Sequence, residues 1–316
     1  MNHPSPYTAH HDHDHDHDRD RDRDAGDQVE ILDLDAEVLA EHIASITAWL
    51  PIEISPRRIV DLGCGTGAGT LALLERFPEA EVTAVDLSTA HLDRLREKAA
   101  AAGSADRVRT VQADLDASAW PELGTQSRSE TSTQSRSETS TQSRSEPGAP
   151  ELVWASASLH HVADPDRTLS QVHDLLVPGG LFAVVELAGF PRFLPADAPE
   201  DAPGLEERCH AVLDHRHAEQ LLHRGADWGT KLKAAGFTVE GERTITVDIG
   251  PPHTDAVGRY ALSGLRRLRG GVASALTAED LSAFDQLLDT GSPHSILRRT
   301  DLRVRTERTV WAARRS

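Results

Sequence analysis

The residues best suited to chemistry in this sequence form a glycine-rich turn, Val60-Asp61-Leu62-Gly63-Cys64-Gly65-Thr66-Gly67. The turn follows an apolar run and precedes a helical pattern, so it is predicted to join a strand to a helix. Glycine allows the backbone to turn sharply or to approach a ligand closely. In a doubly wound sheet, such a turn faces the crevice at the carboxyl ends of the strands. The sequence therefore predicts that a cofactor binds here.

Two further carboxylates are predicted to face the same crevice. Asp86 ends the next apolar run, about 20 residues after Gly67, where a carboxylate can accept hydrogen bonds from both ribose hydroxyls of a cofactor. Asp114 ends the third run, within reach of an adenine amino group. Either residue alone could be a helix cap or turn residue, because aspartate favours such positions. Together with Asp61, they favour a cofactor site.

These residues must be positioned by alternating strands and helices, the pattern of βαβ units, and the predicted fold class is α/β with a doubly wound, mostly parallel sheet. The predicted strands are 58–62, 81–86, 107–113, 152–157, 181–186, 238–249 and 303–313. The predicted helices are 35–50, 67–77, 89–102, 165–176, 228–235, 256–268 and 278–288.

Two low-complexity segments flank or interrupt this pattern. Residues 1–28 alternate His or Arg with Asp and hold little that is apolar, which predicts a disordered tail. Its imidazole and carboxylate groups could also chelate Zn²⁺ or Ni²⁺. From Thr125 an octapeptide, TQSRSETS, repeats twice and begins a third time. This polar repeat predicts a disordered surface insertion at 125–148, and the remaining chain, 29–316, is predicted to be one domain.

Composition excludes several classes of function. The 316 residues carry a net charge of -18, which disfavours a nucleic-acid partner. No run approaches the roughly 18 apolar residues that a membrane span requires. There are two cysteines and no basic-then-apolar leader, so we expect a cytoplasmic protein without a disulfide framework. The oligomeric state stays open.

In its motifs the sequence resembles the class I S-adenosylmethionine-dependent methyltransferases, in particular their small-molecule branch. The resemblance rests on the glycine turn and on four later segments, 84–88, 112–115, 156–162 and 176–180. It implies a seven-stranded, Rossmann-like methyltransferase fold with an antiparallel final hairpin over residues 29–316. The implied cofactor is S-adenosyl-L-methionine, and the implied acceptor is a small molecule methylated on an O, N or C atom.

The resemblance also assigns roles to individual residues. Gly63, Gly65 and Gly67 would border the methionine portion of the cofactor, with Asp61 near its ammonium group. Asp86 would hold the ribose, and Asp114 with Leu115 would frame the adenine. Leu87 and Ser156 lie within the matching segments and are predicted to contact the cofactor as well.

The candidate catalytic residues follow the fourth and fifth strands. His160 and His161 could deprotonate an acceptor near neutral pH, and Glu186 is a second candidate. The histidines could instead pack or orient the cofactor, and Glu186 could be a carboxylate that faces solvent at the sheet edge. The segments 190–227 and 251–300 are predicted to be helical lid insertions that form the acceptor pocket.

Two charged clusters lie within these lid segments. His210, His217 and His223 lack the i, i+4 spacing of helical zinc ligands, so solvated helix surface is expected and no metal site is assigned. Arg266, Arg267 and Arg269 form a basic cluster that could attract a carboxylate-bearing substrate, although a charged helix face is the favoured explanation.

Two other functions fit the glycine turn. An NAD(P)-dependent oxidoreductase is possible because Gly63-x-Gly65-x-x-Ala68 matches the dinucleotide fingerprint. Asp61 argues against it, since a carboxylate there would oppose a pyrophosphate but attract a cationic cofactor. A protein that binds S-adenosylmethionine without transferring its methyl group would need the same residues.

Overall fold

The computed structural model describes residues 26–121, 123, 148–220 and 223–316. These residues are organised around one seven-stranded sheet in the order β3-β2-β1-β4-β5-β7-β6. The strands are β1 (Arg58–Leu62), β2 (Glu81–Asp86), β3 (Val108–Gln112), β4 (Leu152–Ser156), β5 (Leu181–Leu187), β6 (Phe237–Ile249) and β7 (Val304–Arg315).

Strands β1 to β5 pair in parallel, whereas β7 runs antiparallel to both β5 and β6. The chain leaves β1 in one direction for β2 and β3 and returns to the other side of β1 for β4. This reversal opens a crevice between the carboxyl ends of β1 and β4, where open α/β sheets bind their ligands.

Helices cover the sheet, and a helical segment at 26–38 precedes the first of them. The helices are α1 (Ala40–Trp49), α2 (Ala68–Arg76), α3 (Thr89–Ala101), α4 (Pro165–Leu175), α5 (Leu205–Gln220), α6 (Trp228–Ala234), α7 (Asp255–Val272) and α8 (Ala278–Leu288). Among the residues that the structure describes, no helix is long and apolar enough to cross a membrane.

The core forms on both faces of the sheet because alternate side chains of each strand point to opposite faces. On one face Ile59 and Trp154 pack with buried residues of α2, α5, α7 and α8. On the other face Val60 and Val153 pack with buried residues of α4 and α6. The central strands are therefore buried on both sides, as parallel strands require.

The predicted α/β fold is confirmed, and the predicted strands agree with the observed strands to within two residues at each end. The helix predicted at 35–50 is interrupted at Leu39, which separates the segment 26–38 from α1. The predicted tail extends too far, because residues 26–28 are helical. Most of that tail, 1–25, and the octapeptide repeats up to residue 147 lie outside the described residues.

Candidate active site

The glycine turn connects β1 to α2 at the crevice, and each of its three glycines has a positive φ. At Gly63 an added Cβ would collide with Ser158, and at Gly67 it would collide with Leu95. These two glycines therefore let the loop after β4 and helix α3 pack closely against the turn. At Gly65 the nearest described atom to such a Cβ is the Leu32 Cδ1 at 3.4 Å. The backbone of Gly65 is thus the part of the turn with room on its outer side.

Asp86, at the end of β2, holds the glycine turn in place. One carboxylate oxygen accepts a hydrogen bond from the Gly65 N–H at 2.8 Å. The other accepts from the Ser88 N–H at 2.9 Å and lies 3.1 Å from the His91 Nδ1. Burial raises the pKa of Asp86, but these hydrogen bonds outweigh it and the net pKa is lowered. Asp86 is therefore ionised, and the oxygen that accepts from Gly65 keeps a lone pair for a further donor.

Asp61 lies beneath the turn in β1, with 1% of its surface exposed. Its carboxylate accepts a hydrogen bond of 2.6 Å from the Thr70 hydroxyl on α2. Burial, assisted by the charge of Asp86, raises the pKa of Asp61 to about 7. A neighbouring cation would lower that pKa, so the site is suited to a positively charged group.

The other predicted cofactor residues lie along the same edge of the sheet, at or just after the ends of β2, β3 and β4. Leu87 is 63% exposed beside Asp86. Asp114 is exposed, and its Oδ1 accepts from the Asp116 N–H at 2.8 Å, so it also fits the turn role considered above. Leu115 and Ser156 are half-buried. Their contacts with a cofactor stay predictions.

The loop after β4 carries the candidate base. The His160 Nδ1 lies 2.6 Å from the Glu186 Oε2, and both side chains are buried. The Glu186 Oε1 accepts from the N–H groups of Leu159 and His160 at 2.8 and 3.3 Å. Because the carboxylate accepts the Nδ1 proton, the Nε2 of His160 is left as the proton acceptor of the ring. Glu186 thus positions His160, and the interpretation of Glu186 as a solvent-facing edge carboxylate is wrong.

His161 lies beside this pair, its ring centroid 4.1 Å from that of His160. Unlike His160, its side chain is exposed. Partial desolvation by the surrounding atoms lowers the pKa of His161, and the neighbouring His160 and Arg267 lower it further. Because its pKa is lowered, His161 is neutral at neutral pH. The two candidate histidines are brought together, one buried and oriented, the other facing solvent.

The helical segment 26–38 completes the site and was not among the predicted site residues. Its Leu32 lies over Gly65. The next residue, Asp33, accepts hydrogen bonds from Arg94 and Lys98 on α3 at 2.6 and 2.9 Å. The segment is therefore fixed to the same helix that follows Asp86, with its apolar side chain above the glycine turn.

The opposite side of this segment pairs with α7. The Asp35 carboxylate accepts from the Tyr260 hydroxyl at 2.5 Å and from the Arg308 guanidinium at 2.8 Å. Gln28 contacts Arg267, seven residues further along α7 than Tyr260. The two helices therefore run antiparallel. Arg308 pairs in register with Leu187 at the carboxyl end of β5, so this contact closes the crevice on the side of β5.

One predicted surface feature is buried instead. His210 on α5 is 2% exposed, and neither ring nitrogen has a hydrogen-bond partner among the described residues. Burial lowers the pKa of His210 to about 4, so it is neutral. The prediction of solvated helix surface is wrong for His210, because α5 packs into the core through neighbours such as Cys209. His215 is exposed, and the side chain of His217 lies outside the described residues.

Within the described ranges, no group of three or more His, Cys, Asp or Glu side chains is placed to hold a metal ion. The three arginines of the basic cluster on α7 lie in different environments. Arg266 is exposed, Arg269 pairs with Asp285 at 2.7 Å, and Arg267 contacts Gln28.

Comparison with known proteins agrees with this geometry. Residues 60–182 match the model of a family described as a methyltransferase domain. The trans-aconitate 2-methyltransferase of Methylobacterium radiotolerans is 33% identical over 45% of this chain and 42% of its own length. A malonyl-[acyl-carrier protein] O-methyltransferase of Halorhodospira halophila is 41% identical over 30% of each chain. The chain thus spans less than half the length of either relative.

Among solved structures, the geranyl diphosphate C-methyltransferase of Streptomyces coelicolor A3(2) aligns with 88% of this chain and 78% of its own, at 15% identity and a TM-score of 0.45. The family match includes the glycine turn, Asp86, the base loop and the first two residues of β5. Residues 60–182 of this chain are therefore similar to a methyltransferase domain.

Proposed function

We propose that this protein transfers the methyl group of S-adenosyl-L-methionine to an O, N or C atom of a small-molecule acceptor. The observation that carries the proposal is the packing of the base loop on the glycine turn. Ser158 touches Gly63 and its hydroxyl donates to the Leu62 carbonyl at 2.9 Å. Two residues later, His160 is oriented by Glu186. A proton acceptor is thus fixed beside the predicted cofactor site.

The residues of the crevice fit this cofactor. The glycine turn would border the methionine portion, and Asp61 would attract the ammonium group from beneath the turn. Asp86 is ionised, and its oxygen next to Gly65 retains a lone pair for a ribose hydroxyl. The exposed Leu87 offers apolar surface to the adenine, with Asp114 and Leu115 on the neighbouring strand. When bound, the cofactor supplies an electrophilic methyl group on a cationic sulfur.

The chain supplies orientation and a proton acceptor. The Nε2 of His160 accepts the proton that the acceptor's hydroxyl, amine or acidic C–H group loses as the acceptor atom bonds to the methyl group. Glu186 keeps the Nδ1 proton in place and stabilises the imidazolium that results. The segment 26–38 and helix α7 cover the crevice, which holds the acceptor in line and reduces access of water.

The acceptor is proposed to be a small molecule. The relatives include methyltransferases named for trans-aconitate, malonyl-[acyl-carrier protein] and demethylmenaquinone. The segments 190–227 and 251–300 would supply its pocket, since α5 and α7 pack together beside the crevice. Both cysteines are unpaired, which supports a reducing, cytoplasmic location. The net charge of -18 disfavours nucleic acid as the acceptor.

The proposal is tested by binding and by transfer. S-adenosylhomocysteine and NAD are each added to the purified protein, and the melting temperature is measured. We expect stabilisation by S-adenosylhomocysteine alone, because ligands that bind only the folded state stabilise it. Stabilisation by NAD instead would favour an oxidoreductase.

The transfer reaction uses methyl-labelled S-adenosylmethionine with a fractionated metabolite extract. Labelled product that disappears in a His160→Ala variant supports catalysis. Saturable cofactor binding with no labelled product from any fraction would favour a protein that binds the cofactor without using it.

A further inference from the structure

Arg267 lies at the mouth of the crevice. Its guanidinium donates a hydrogen bond to the side-chain oxygen of Gln28 in the segment 26–38. Gln28 precedes Leu32 by one helical turn, and Leu32 lies over Gly65. The arginine therefore reaches the cover of the glycine turn from α7, while its side chain remains solvent-accessible.

The charge of Arg267 also acts on the base loop. Its positive charge contributes to the lowered pKa of His161, together with burial and His160. His161 in turn contacts the ring of His160, the proposed proton acceptor. The guanidinium is thus near both the cover of the cofactor turn and the loop where the acceptor must react.

The surrounding arginines are paired with carboxylates. Arg94 pairs with Asp33, Arg308 with Asp35, Arg259 with Glu37 and Arg269 with Asp285. Arg267 differs from them, because no carboxylate of the described residues lies within 4 Å of it and its hydrogen-bond partner is the neutral amide of Gln28. Partial burial also lowers the pKa of its guanidinium, so the charge is incompletely solvated. An uncompensated, partly desolvated cation favours an anionic ligand.

We propose that Arg267 binds a carboxylate group of the acceptor and so orients the acceptor toward His160. This inference rests on the proposed function and specifies its substrate class. One guanidinium supplies a single charge and a planar pair of donors, which match a carboxylate. A phosphate dianion fits less well, because Glu186 and Asp35 bring negative charge to the same end of the sheet.

The test follows carboxylate binding directly. Trans-aconitate, succinate and benzoate are titrated separately into the protein, with and without S-adenosylhomocysteine, and the ring resonances of His161 are followed by NMR. Succinamide, benzamide and inorganic phosphate serve as neutral and phosphate probes. Neutralising Arg267 removes one influence that lowers the pKa of His161, so binding should raise that pKa.

We expect at least one carboxylate to give a saturable shift in the wild-type protein and in Arg266→Gln, the exposed neighbour on the same helix. In Arg267→Gln the affinity should fall at least about 10-fold, and Arg267→Lys should recover part of it. Three results would overturn the proposal: no carboxylate shifts His161, the amides bind as well, or Arg267→Gln binds unchanged. Equal binding of phosphate would overturn the choice of carboxylate.

A separate measurement shows whether the proposed function itself fails. S-adenosylhomocysteine binding is measured by calorimetry on the same samples, and Arg267→Gln should leave it unchanged. The titrations without S-adenosylhomocysteine report on Arg267 even in a protein that does not bind that ligand.

Discussion

Glu186 shows how much the chemistry of one residue depends on its partners. Both of its carboxylate oxygens are used inside the protein, one by His160 Nδ1 and the other by two backbone N–H groups. No acceptor needs to reach it for it to matter, because it determines which nitrogen of His160 carries the proton. We therefore propose Glu186 as a positioning residue and His160 as the catalytic one.

Substituting Glu186 by Gln tests this role. The amide oxygen can still accept from Leu159, but the amide nitrogen would donate to the His160 Nδ1 and move the ring proton to Nε2. We expect kcat to fall by about 100-fold or more, since general-base catalysis contributes 10²–10⁴-fold. Cofactor affinity should be unchanged by calorimetry. A variant with normal kcat would mean that His160 is not the base.

Asp61 leads to a prediction about pH. Burial raises its pKa to about 7, so below that pH it is mostly neutral, and above it mostly charged. The charged form attracts the cofactor's ammonium group, so affinity for S-adenosylhomocysteine should rise about 10-fold between pH 6 and pH 8. In Asp61→Asn the affinity should be lower and nearly independent of pH. Calorimetry across this range measures both, and an equal pH slope in the variant would rule out Asp61 as the linked group.

At the scale of elements, the segment 26–38 connects three parts of the site that are far apart in sequence. Leu32 covers the glycine turn and Asp33 pairs with α3. Asp35 pairs with Arg308 on β7, 273 residues away. Burial alone would lower the pKa of Arg308, but the charge of Asp35 raises it overall. The position of this segment over the crevice therefore depends strongly on Asp35.

Removing Asp35 should destabilise the protein. In Asp35→Ala the guanidinium of Arg308, which is 6% exposed, loses its partner. We expect the free energy of unfolding to fall by about 2–4 kcal/mol. This loss is at or below the range for a fully buried ion pair, because the Asp35 side chain is 23% exposed. Glu37→Ala is the matched control, since the exposed Glu37–Arg259 pair should contribute at most about 1 kcal/mol. Urea unfolding measures the stability of both variants. Equal losses of stability in the two variants would contradict the role of Asp35 in fixing the segment 26–38.

The elements also separate what the sequence could predict from what it could not. The strands and the glycine turn follow from short apolar runs and local glycine chemistry, so their positions could be predicted closely. The pairing of Asp35 with Arg308 and the approach of Arg267 to His161 depend on tertiary packing, which periodicity does not encode. His210 was predicted to be exposed because composition alone does not show which face of α5 packs.

At the scale of the whole molecule, the sheet accommodates a long polar insertion between β3 and β4. Described residues end at Leu123 and resume at Gly148, and both neighbouring strands keep their register in the sheet. Loop closure costs free energy that grows only slowly with length, so the fold is expected to be insensitive to the number of repeats.

Deleting two of the three octapeptide copies, residues 125–140, tests this expectation. Shortening the loop about threefold should stabilise the protein by about 1 kcal/mol or less. Affinity for S-adenosylhomocysteine and the rate of methyl transfer should not change. Loss of either activity with an unchanged melting temperature would show that the repeats contribute to the site.

The central claim is that the crevice between β1 and β4 binds S-adenosylmethionine with Asp86 at the ribose. Isothermal titration calorimetry of S-adenosylhomocysteine to the wild-type protein, Asp86→Asn and Asp93→Asn tests it most directly. Asp93 is an exposed residue of α3 that pairs only with Arg96 among the described residues. We predict saturable binding that weakens about 10–100-fold in Asp86→Asn and is unchanged in Asp93→Asn. No binding to the wild-type protein, or equal binding to Asp86→Asn, would contradict the claim.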